Sequence, residues 1–252
     1  MPVHSCDPNA VICFDPASSS TTSVAIATAR TLRPLSAGEV VAFSYLPLQM
    51  LMASRSVRTE VLQLQKGFTC RCKRCSGFDV VRSLPCPSCQ SGTCVPAAPT
   101  SRNSTEWQCR SCQATSREEM LPVEKELKLV QFLLAFEADS EQTIHSVMTV
   151  INEDLGAQDA ATDHFLRAWM LMALIDVIVE DSSRLPEDAP TYDSRLKELA
   201  CSSLEALQKL CDWVSSYVPS CDHLVAMQCG IPVLRLLWRS GLGRECASVA
   251  SL

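Results

Sequence analysis

The segment that decides this fold carries three clusters of cysteine, Cys70-Arg71-Cys72-Lys73-Arg74-Cys75, Cys86-Pro87-Ser88-Cys89 and Cys109-Arg110-Ser111-Cys112. An eighth cysteine, Cys94, lies between the last two clusters. Proline, serine and glycine are frequent in the rest of residues 68–117, so this segment has too few apolar side chains to fold on a core alone. We therefore expect a module whose folding depends on bound metal.

The last two clusters have the spacing of a structural zinc site. Each is a C-x2-C pair, and residues 90–108 separate them. Two thiolates on one tight turn bind one metal, and a second pair completes a tetrahedron of sulfurs with no open position for water. Cys86, Cys89, Cys109 and Cys112 are the predicted ligands, with Cys94 as an alternative.

The first cluster is one ligand short. Cys70, Cys72 and Cys75 offer three sulfurs, whereas a tetrahedral zinc needs four. Cys6, Cys13, Cys94 and the four histidines are candidates for the fourth position, and spacing alone does not choose among them. The alternative, three unpaired surface thiols, would be a redox liability.

Bulk composition places the chain among soluble globular proteins. It has 252 residues, 15 cysteines and a net charge of −6, which argues against nucleic acid as the main partner. The sequence contains no apolar run of about 18 residues, so we expect no membrane span. The N-terminus does not resemble a secretory signal, so we expect a cytoplasmic or nuclear location, where disulfides are rare and clustered thiols are metal ligands.

Residue patterns divide the chain into a β-rich start and a helical tail. Strands are expected at residues 24–29 and 39–45, with a turn at 34–38 between them. A helix is expected at 48–65, ended by Gly67.

The tail is helical from Pro122 onward. Residues 164–180 are apolar almost all round, which predicts a buried helix. A loop over 181–193 is expected to separate it from a helix whose face includes Leu196 and Val214. Pro232 should start or kink a segment within the last helix, at 222–239.

Three motifs resemble those of SET-domain protein lysine methyltransferases. The first motif is His4-Ser5-Cys6-Asp7-Pro8-Asn9, which is similar to the end of the family motif Asn-His-Ser-Cys-x-Pro-Asn. The second is Gly38-Glu39 with Phe43-Ser44-Tyr45, which is similar to Gly-Glu-Glu…Ser-Tyr. The third is Phe68-Thr69-Cys70-Arg71-Cys72-x-x-Cys75, which is similar to the post-SET segment. A helical tail after the cysteines narrows the resemblance to the SET and MYND domain (SMYD) family. The likeness is strong over residues 3–76 and architectural beyond them.

The resemblance implies an α+β fold in three parts. Residues 1–67 would be the C-terminal part of a SET β-fold. Residues 68–117 would be the post-SET and second zinc-binding module, and residues 118–252 an all-α domain similar to tetratricopeptide (TPR) helix pairs. Such a tail suits binding of a protein partner.

The resemblance also implies site residues. In the family the motif cysteine, here Cys6, joins the three post-SET cysteines on one zinc, which brings the expected total to two ions. The family transfers a methyl group from S-adenosylmethionine to a lysine of a histone or non-histone protein. Tyr45 matches the catalytic tyrosine, Phe68 a residue that packs on the cofactor's adenine, and His4 a residue beside the cofactor.

Two departures from the family pattern affect the expected activity. Val3 stands where the family has an asparagine that binds the cofactor, and a lost hydrogen bond weakens binding by about 1–3 kcal/mol. The chain begins at the motif, so the N-terminal half of the SET domain, with its Gly-x-Gly cofactor loop, is expected to be missing. We therefore expect no turnover by the isolated chain. The alternative function is a non-catalytic zinc-binding module that binds protein partners through its helical tail.

Overall fold

The computed structural model describes residues 3–15, 26–89, 91–99, 106–135 and 164–242, and over these residues the fold is mixed α and β. The strands are β1 (Val3–His4), β2 (Ala10–Asp15), β3 (Ile26–Thr31), β4 (Ala42–Phe43), β5 (Leu84–Pro85), β6 (Thr93–Pro96), β7 (Glu106–Cys109) and β8 (Thr115–Arg117). The helices are α1 (Leu48–Met52), α2 (Arg55–Lys66), α3 (Lys73–Ser76), α4 (Val123–Ala135), α5 (Phe165–Arg184), α6 (Tyr192–Tyr217), α7 (Asp222–Val225) and α8 (Ile231–Arg239).

The N-terminal strands form two small sheets. β1 pairs in parallel with β4, and β2 pairs in antiparallel with β3. The two strands expected on either side of the turn at 34–38 are therefore partners of different strands, not of each other. Gly38, with φ +84°, makes the turn, and residues 24 and 25 of the first expected strand lie outside the described residues.

The strand expected at 39–45 is wrong in length, because only Ala42–Phe43 is a strand. The buried Asn9 side chain takes up the backbone groups that a longer strand would use. Its Nδ2 donates to the Val40 carbonyl at 2.9 Å, and its Oδ1 accepts from the Ala42 N–H at 2.8 Å. Asn9 thereby anchors this segment beside β2.

The helix expected at 48–65 is two helices, α1 and α2, because Ala53 and Ser54 are extended. A residue from beyond the helix caps the start of α2: the Asp79 carboxylate accepts a hydrogen bond from the Arg55 N–H at 2.7 Å. A carboxylate at this position satisfies a helix N–H that has no partner inside the helix. Gly67 ends α2 in the left-handed conformation, as predicted.

The buried helix in the tail is longer than expected. α5 starts after His164, whose Nδ1 accepts from the Leu166 N–H, and it continues to Arg184, so the separating loop is only 185–191. Pro232 follows a single π-helical turn, Ala226–Gly230. Proline cannot donate a backbone hydrogen bond and its ring crowds the preceding turn, and the wider turn accommodates both effects.

One cluster of buried side chains joins the N-terminal part to the helices. It includes Cys6, Leu51 and Leu62 together with the inner faces of α5, α6 and α8. A separate small core surrounds Trp107, between the sheet β5-β6-β7-β8 and Leu121. The division of the chain into three domains stays a prediction, as do the SET and TPR-like identities of those domains. Among the described helices, none combines the length and the apolar character needed to cross a bilayer.

Candidate metal centres

The first centre consists of Cys6, Cys70, Cys72 and Cys75, whose sulfurs all lie within 4.8 Å of one another. Cys6 follows β1, while the other three follow Gly67, which turns the chain after α2. Cys6 Sγ lies 4.0 Å from Cys70 Sγ and 3.5 Å from Cys75 Sγ. The structure thus brings the first cluster together with Cys6, and Cys13 and Cys94 lie outside this group.

The second centre consists of Cys86, Cys89, Cys109 and Cys112. Cys86 directly follows β5 and Cys109 ends β7, so the adjacent turns carry the other two cysteines. The Cys86–Cys112 and Cys89–Cys109 sulfur pairs are each 3.8 Å apart. This centre is more open than the first, because Cys112 is exposed.

The sulfur spacing fits a tetrahedral zinc. Four sulfurs at about 2.3 Å from a common ion are about 3.8 Å apart along each edge of the tetrahedron. The four sulfur–sulfur separations given above, 3.5 to 4.0 Å, surround this value. A disulfide would need about 2.05 Å, and every cysteine in the described ranges is free.

Backbone donors support thiolates at both centres in the same way. The Cys72 N–H points to Cys70 Sγ at 3.4 Å, and the Cys112 N–H points to Cys109 Sγ at 3.4 Å. Burial alone would raise the pKa of Cys86, but backbone N–H groups of residues 88 and 89 outweigh it and lower the pKa to about 6. Donors of this kind favour the charged form of a ligand sulfur.

At the first centre, contact between the thiols shifts their pKa values in opposite directions. Hydrogen bonding to the other three cysteines raises the pKa of Cys6, while the hydrogen bond with Cys6 lowers the pKa of Cys70. Four crowded sulfurs can all be anionic only with a cation among them.

A fully buried arginine faces the first centre. The Arg58 guanidinium donates to the Ala53 carbonyl, lies 3.8 Å from Cys75 Sγ and is 4.0 Å from the Asp79 carboxylate. Burial alone would lower its pKa, but the charges of Asp79, Cys75 and Cys6 outweigh burial and raise it. A charged group at zero exposure requires an opposite charge nearby, which the Asp79 carboxylate supplies and which four thiolates around a metal ion would increase.

A second arginine ties the centre to the core. Arg74 donates to the Cys6 carbonyl at 3.1 Å and to the Leu51 carbonyl at 2.5 Å. Burial, followed by the Arg58 charge, lowers its pKa to about 10. Arg74 therefore fixes the backbone that presents the one ligand distant in sequence.

A network of charged groups connects the second centre to the helices. Arg82 lies 5.0 Å from the Trp107 ring and donates to Glu126 and Glu118 at 2.6 to 2.9 Å. Glu126 is also 3.3 Å from His164 Nε2. Trp107 thus contacts the guanidinium that pairs with α4, so the sheet that carries the second centre is joined to the tail by charge as well as by packing.

The three residues that the resemblance assigned to catalysis and cofactor binding lie together. The ring of His4 is 5.1 Å from that of Tyr45 and 5.6 Å from that of Phe68, and the last two are 6.3 Å apart. Tyr45 is 40% exposed, so the cluster is open to a ligand. Val3, beside them on β1, is also exposed, and its side chain offers no hydrogen bond.

A scan against models of known protein families found no match to this chain, and a search of curated proteins found none either.

Sequence reasoning missed Arg58, Arg74 and Asp79. A signal for Arg58 was present, because it lies one helical turn before the buried Leu62 and therefore faces the core. No sequence signal connects Asp79 to the start of α2, since their contact depends on how the chain returns after the first centre.

Proposed function

We propose that the chain binds two zinc ions, one at each four-cysteine centre, and that residues 3–76 form the cofactor and catalytic part of an S-adenosylmethionine-dependent protein-lysine methyltransferase of the SET/SMYD type. The observation that supports zinc is the sulfur spacing, which matches a tetrahedral zinc at both centres. Closed four-sulfur shells make both ions structural.

The first zinc would hold the proposed cofactor face together. Cys6 lies two residues after His4, and Cys70 lies two residues after Phe68. One ion bound to both cysteines therefore places the two rings side by side, 5.6 Å apart. Such preorganisation supplies much of the catalysis in a reaction that depends on in-line positioning.

S-adenosylmethionine would supply the methyl group. Phe68 would pack on its adenine, His4 would lie beside it, and the Tyr45 hydroxyl would face the methyl group and the lysine amine. The amine must lose a proton before it attacks, because its ordinary pKa is about 10.4. The protein substrate would be a histone or another protein with an accessible lysine.

Metal analysis of the purified chain tests the zinc proposal. We expect two zinc ions per chain, and one or none would overturn the scheme.

Saturation-transfer NMR with S-adenosylmethionine tests the methyltransferase proposal. We expect weak binding that Phe68→Ala abolishes and Val3→Asn strengthens by about tenfold, which corresponds to about 1.4 kcal/mol. Phe78→Ala is the control, since Phe78 is a phenylalanine at the surface, more exposed than Phe68 and outside the aromatic cluster. No binding by a zinc-loaded, folded chain would overturn the proposal.

A second candidate function is a non-catalytic zinc module that binds protein partners through its helices. Val3 favours it, because the cofactor's amino acid end would meet an apolar side chain there. The same NMR experiment separates the two candidates, since this function predicts no contact with the cofactor in any variant.

A further inference from the structure

A fifth thiol lies against the second metal centre. Cys94 is fully buried in β6, and it packs in the same small core as Cys86 and Cys109. It is outside the group of four sulfurs that lie within 4.8 Å of one another. A tetrahedral zinc has no vacancy for a fifth sulfur, so the four-ligand scheme gives Cys94 no role.

The strand register fixes where Cys94 points. Cys94 is directly opposite Cys109, and the Arg110 N–H donates to the Thr93 carbonyl at 2.9 Å. The Cys94–Cys109 pair is therefore the non-hydrogen-bonded kind, in which Cα atoms are about 4.5 Å apart and the side chains share a face of the sheet. Cys94 thus shares a face of the sheet with Cys109, on the buried side of the second centre.

The opposite side of the second centre is open to solvent. Cys112 is exposed, whereas Cys86 and Cys109 are buried. An electrophile or oxidant from solvent therefore meets Cys112 before the two buried ligands.

We propose that Cys94 is a reserve ligand of the second metal centre, which replaces Cys112 when the Cys112 sulfur is lost to modification. Alkylation illustrates the exchange: the Cys112 thiolate displaces halide from a haloacetamide and becomes a neutral thioether, which is a poor zinc ligand. The Cys94 thiol then releases its proton to solvent and binds the metal with Cys86, Cys89 and Cys109. The centre remains a four-thiolate site, and the shift is short because Cys94 already packs in the same small core as Cys86 and Cys109.

This inference rests on metal binding at the second centre, and metal counts on the full chain test both. Wild type and Cys94→Ala should each hold two ions, Cys112→Ala should also hold two, and the double variant should hold one. Cys75→Ala is the matched control: at the first centre the described residues offer no fifth cysteine, so this variant should hold one ion. Fewer than two ions in wild type would refute the proposed zinc binding instead.

Cobalt(II) substitution identifies the ligand that replaces Cys112. In Cys112→Ala the thiolate-to-cobalt absorption of the second centre should keep its four-sulfur intensity. A drop by about a quarter, to three sulfurs, would show water or another group in the fourth position and would overturn the reserve role. Loss of the ion from Cys112→Ala to the same extent as from the double variant would overturn it as well.

Alkylation of the folded protein gives a test that does not depend on the double variant folding. After one equivalent of iodoacetamide, with the site of modification at Cys112 verified by mass spectrometry, wild type should retain its second zinc against a chromogenic chelator. Cys94→Ala should release it at least tenfold faster. Equal release rates would contradict the inference.

Discussion

The imidazole of His4 joins Tyr45 to Cys6. Its Nδ1 accepts the Tyr45 N–H at 3.0 Å, while its Nε2 is 3.3 Å from Cys6 Sγ. Because Nδ1 is an acceptor, a neutral ring carries its proton on Nε2 and donates it to the Cys6 sulfur. His4 therefore links the proposed zinc ligand to the backbone of the proposed catalytic tyrosine.

This bridge predicts a single tautomer for His4. In zinc-loaded protein labelled with ¹⁵N, long-range ¹H–¹⁵N spectra should show an unprotonated Nδ1 and a protonated Nε2. His223, whose side chain is exposed, serves as the internal control and should show no such fixed preference. A protonated Nδ1 in His4 would exclude the bridge.

The fourth ligand of the first centre can be decided by substitution. Cys6→Ala should reduce the zinc content from two ions to one, because three sulfurs leave the shell open. Cys13→Ala is the matched control, since Cys13 was an equal candidate by spacing but lies outside both sulfur groups. It should retain two ions, and the reverse pattern would refute the assignment of Cys6.

Arg58→Met should weaken the first centre. Removing a buried cation leaves the thiolates and Asp79 without their counter-charge, so we expect the free energy of unfolding to fall by about 3 kcal/mol. Zinc affinity at this centre should fall too, as measured by chelator competition. The exposed Arg71, between two of the ligands, provides the control Arg71→Gln, which should change neither quantity appreciably. Unchanged zinc affinity in Arg58→Met would show that the guanidinium serves packing only.

The Glu126 network predicts a specific pH dependence. Burial alone would raise the pKa of Glu126, but His164 and Arg82 outweigh it and lower the pKa from 4.5 to about 2. A carboxyl group with a lowered pKa stabilises the fold above pH 4.5, and this contribution is lost as the pH falls toward 2.

The variant Glu126→Gln should therefore be less stable than wild type by about 1–3 kcal/mol at pH 7, and the difference should shrink between pH 4.5 and 2. Denaturant unfolding across this pH range measures the stability difference. Both proteins release zinc at low pH, so zinc release does not contribute to the difference. Glu119→Gln, at an exposed position, should show no pH-dependent difference from wild type. A stability difference that is constant with pH would contradict the proposed pKa.

Gly92 is required by the second centre. A Cβ at this position would lie 2.6 Å from Ser111 Oγ and 2.9 Å from Cys109 Sγ, so Gly92→Ala must displace the turn that carries two ligands. We expect faster zinc release from the second centre, measured with a chromogenic chelator. In Gly230→Ala the new Cβ meets its nearest atom, Val225 O, at an ordinary 3.9 Å, so the release rate should be that of wild type. A wild-type release rate in Gly92→Ala would show that the turn accommodates the added methyl group without weakening metal binding.

The cysteine spacing was enough to predict the second centre, because its four ligands come from two local C-x2-C turns whose geometry depends on a few neighbouring residues. The same holds for the glycine that ends α2, since a left-handed residue at a helix end is a local preference. The first centre was only partly predictable. Spacing supplied three ligands, and the fourth required a resemblance to known proteins.

Tertiary structure alone decided the groups that surround these ligands. Cys6 reaches Cys70 across 64 residues because β1 pairs with β4 and Arg74 holds the Cys6 carbonyl. The buried charge of Arg58 and the cap that Asp79 gives to α2 depend on the same return of the chain. The sequence by itself thus determined which residues can bind metal, because ligand chemistry and short spacings are local. Which sulfurs share an ion, and what charge surrounds them, depended on contacts between segments far apart in the chain, and no local pattern encodes those contacts.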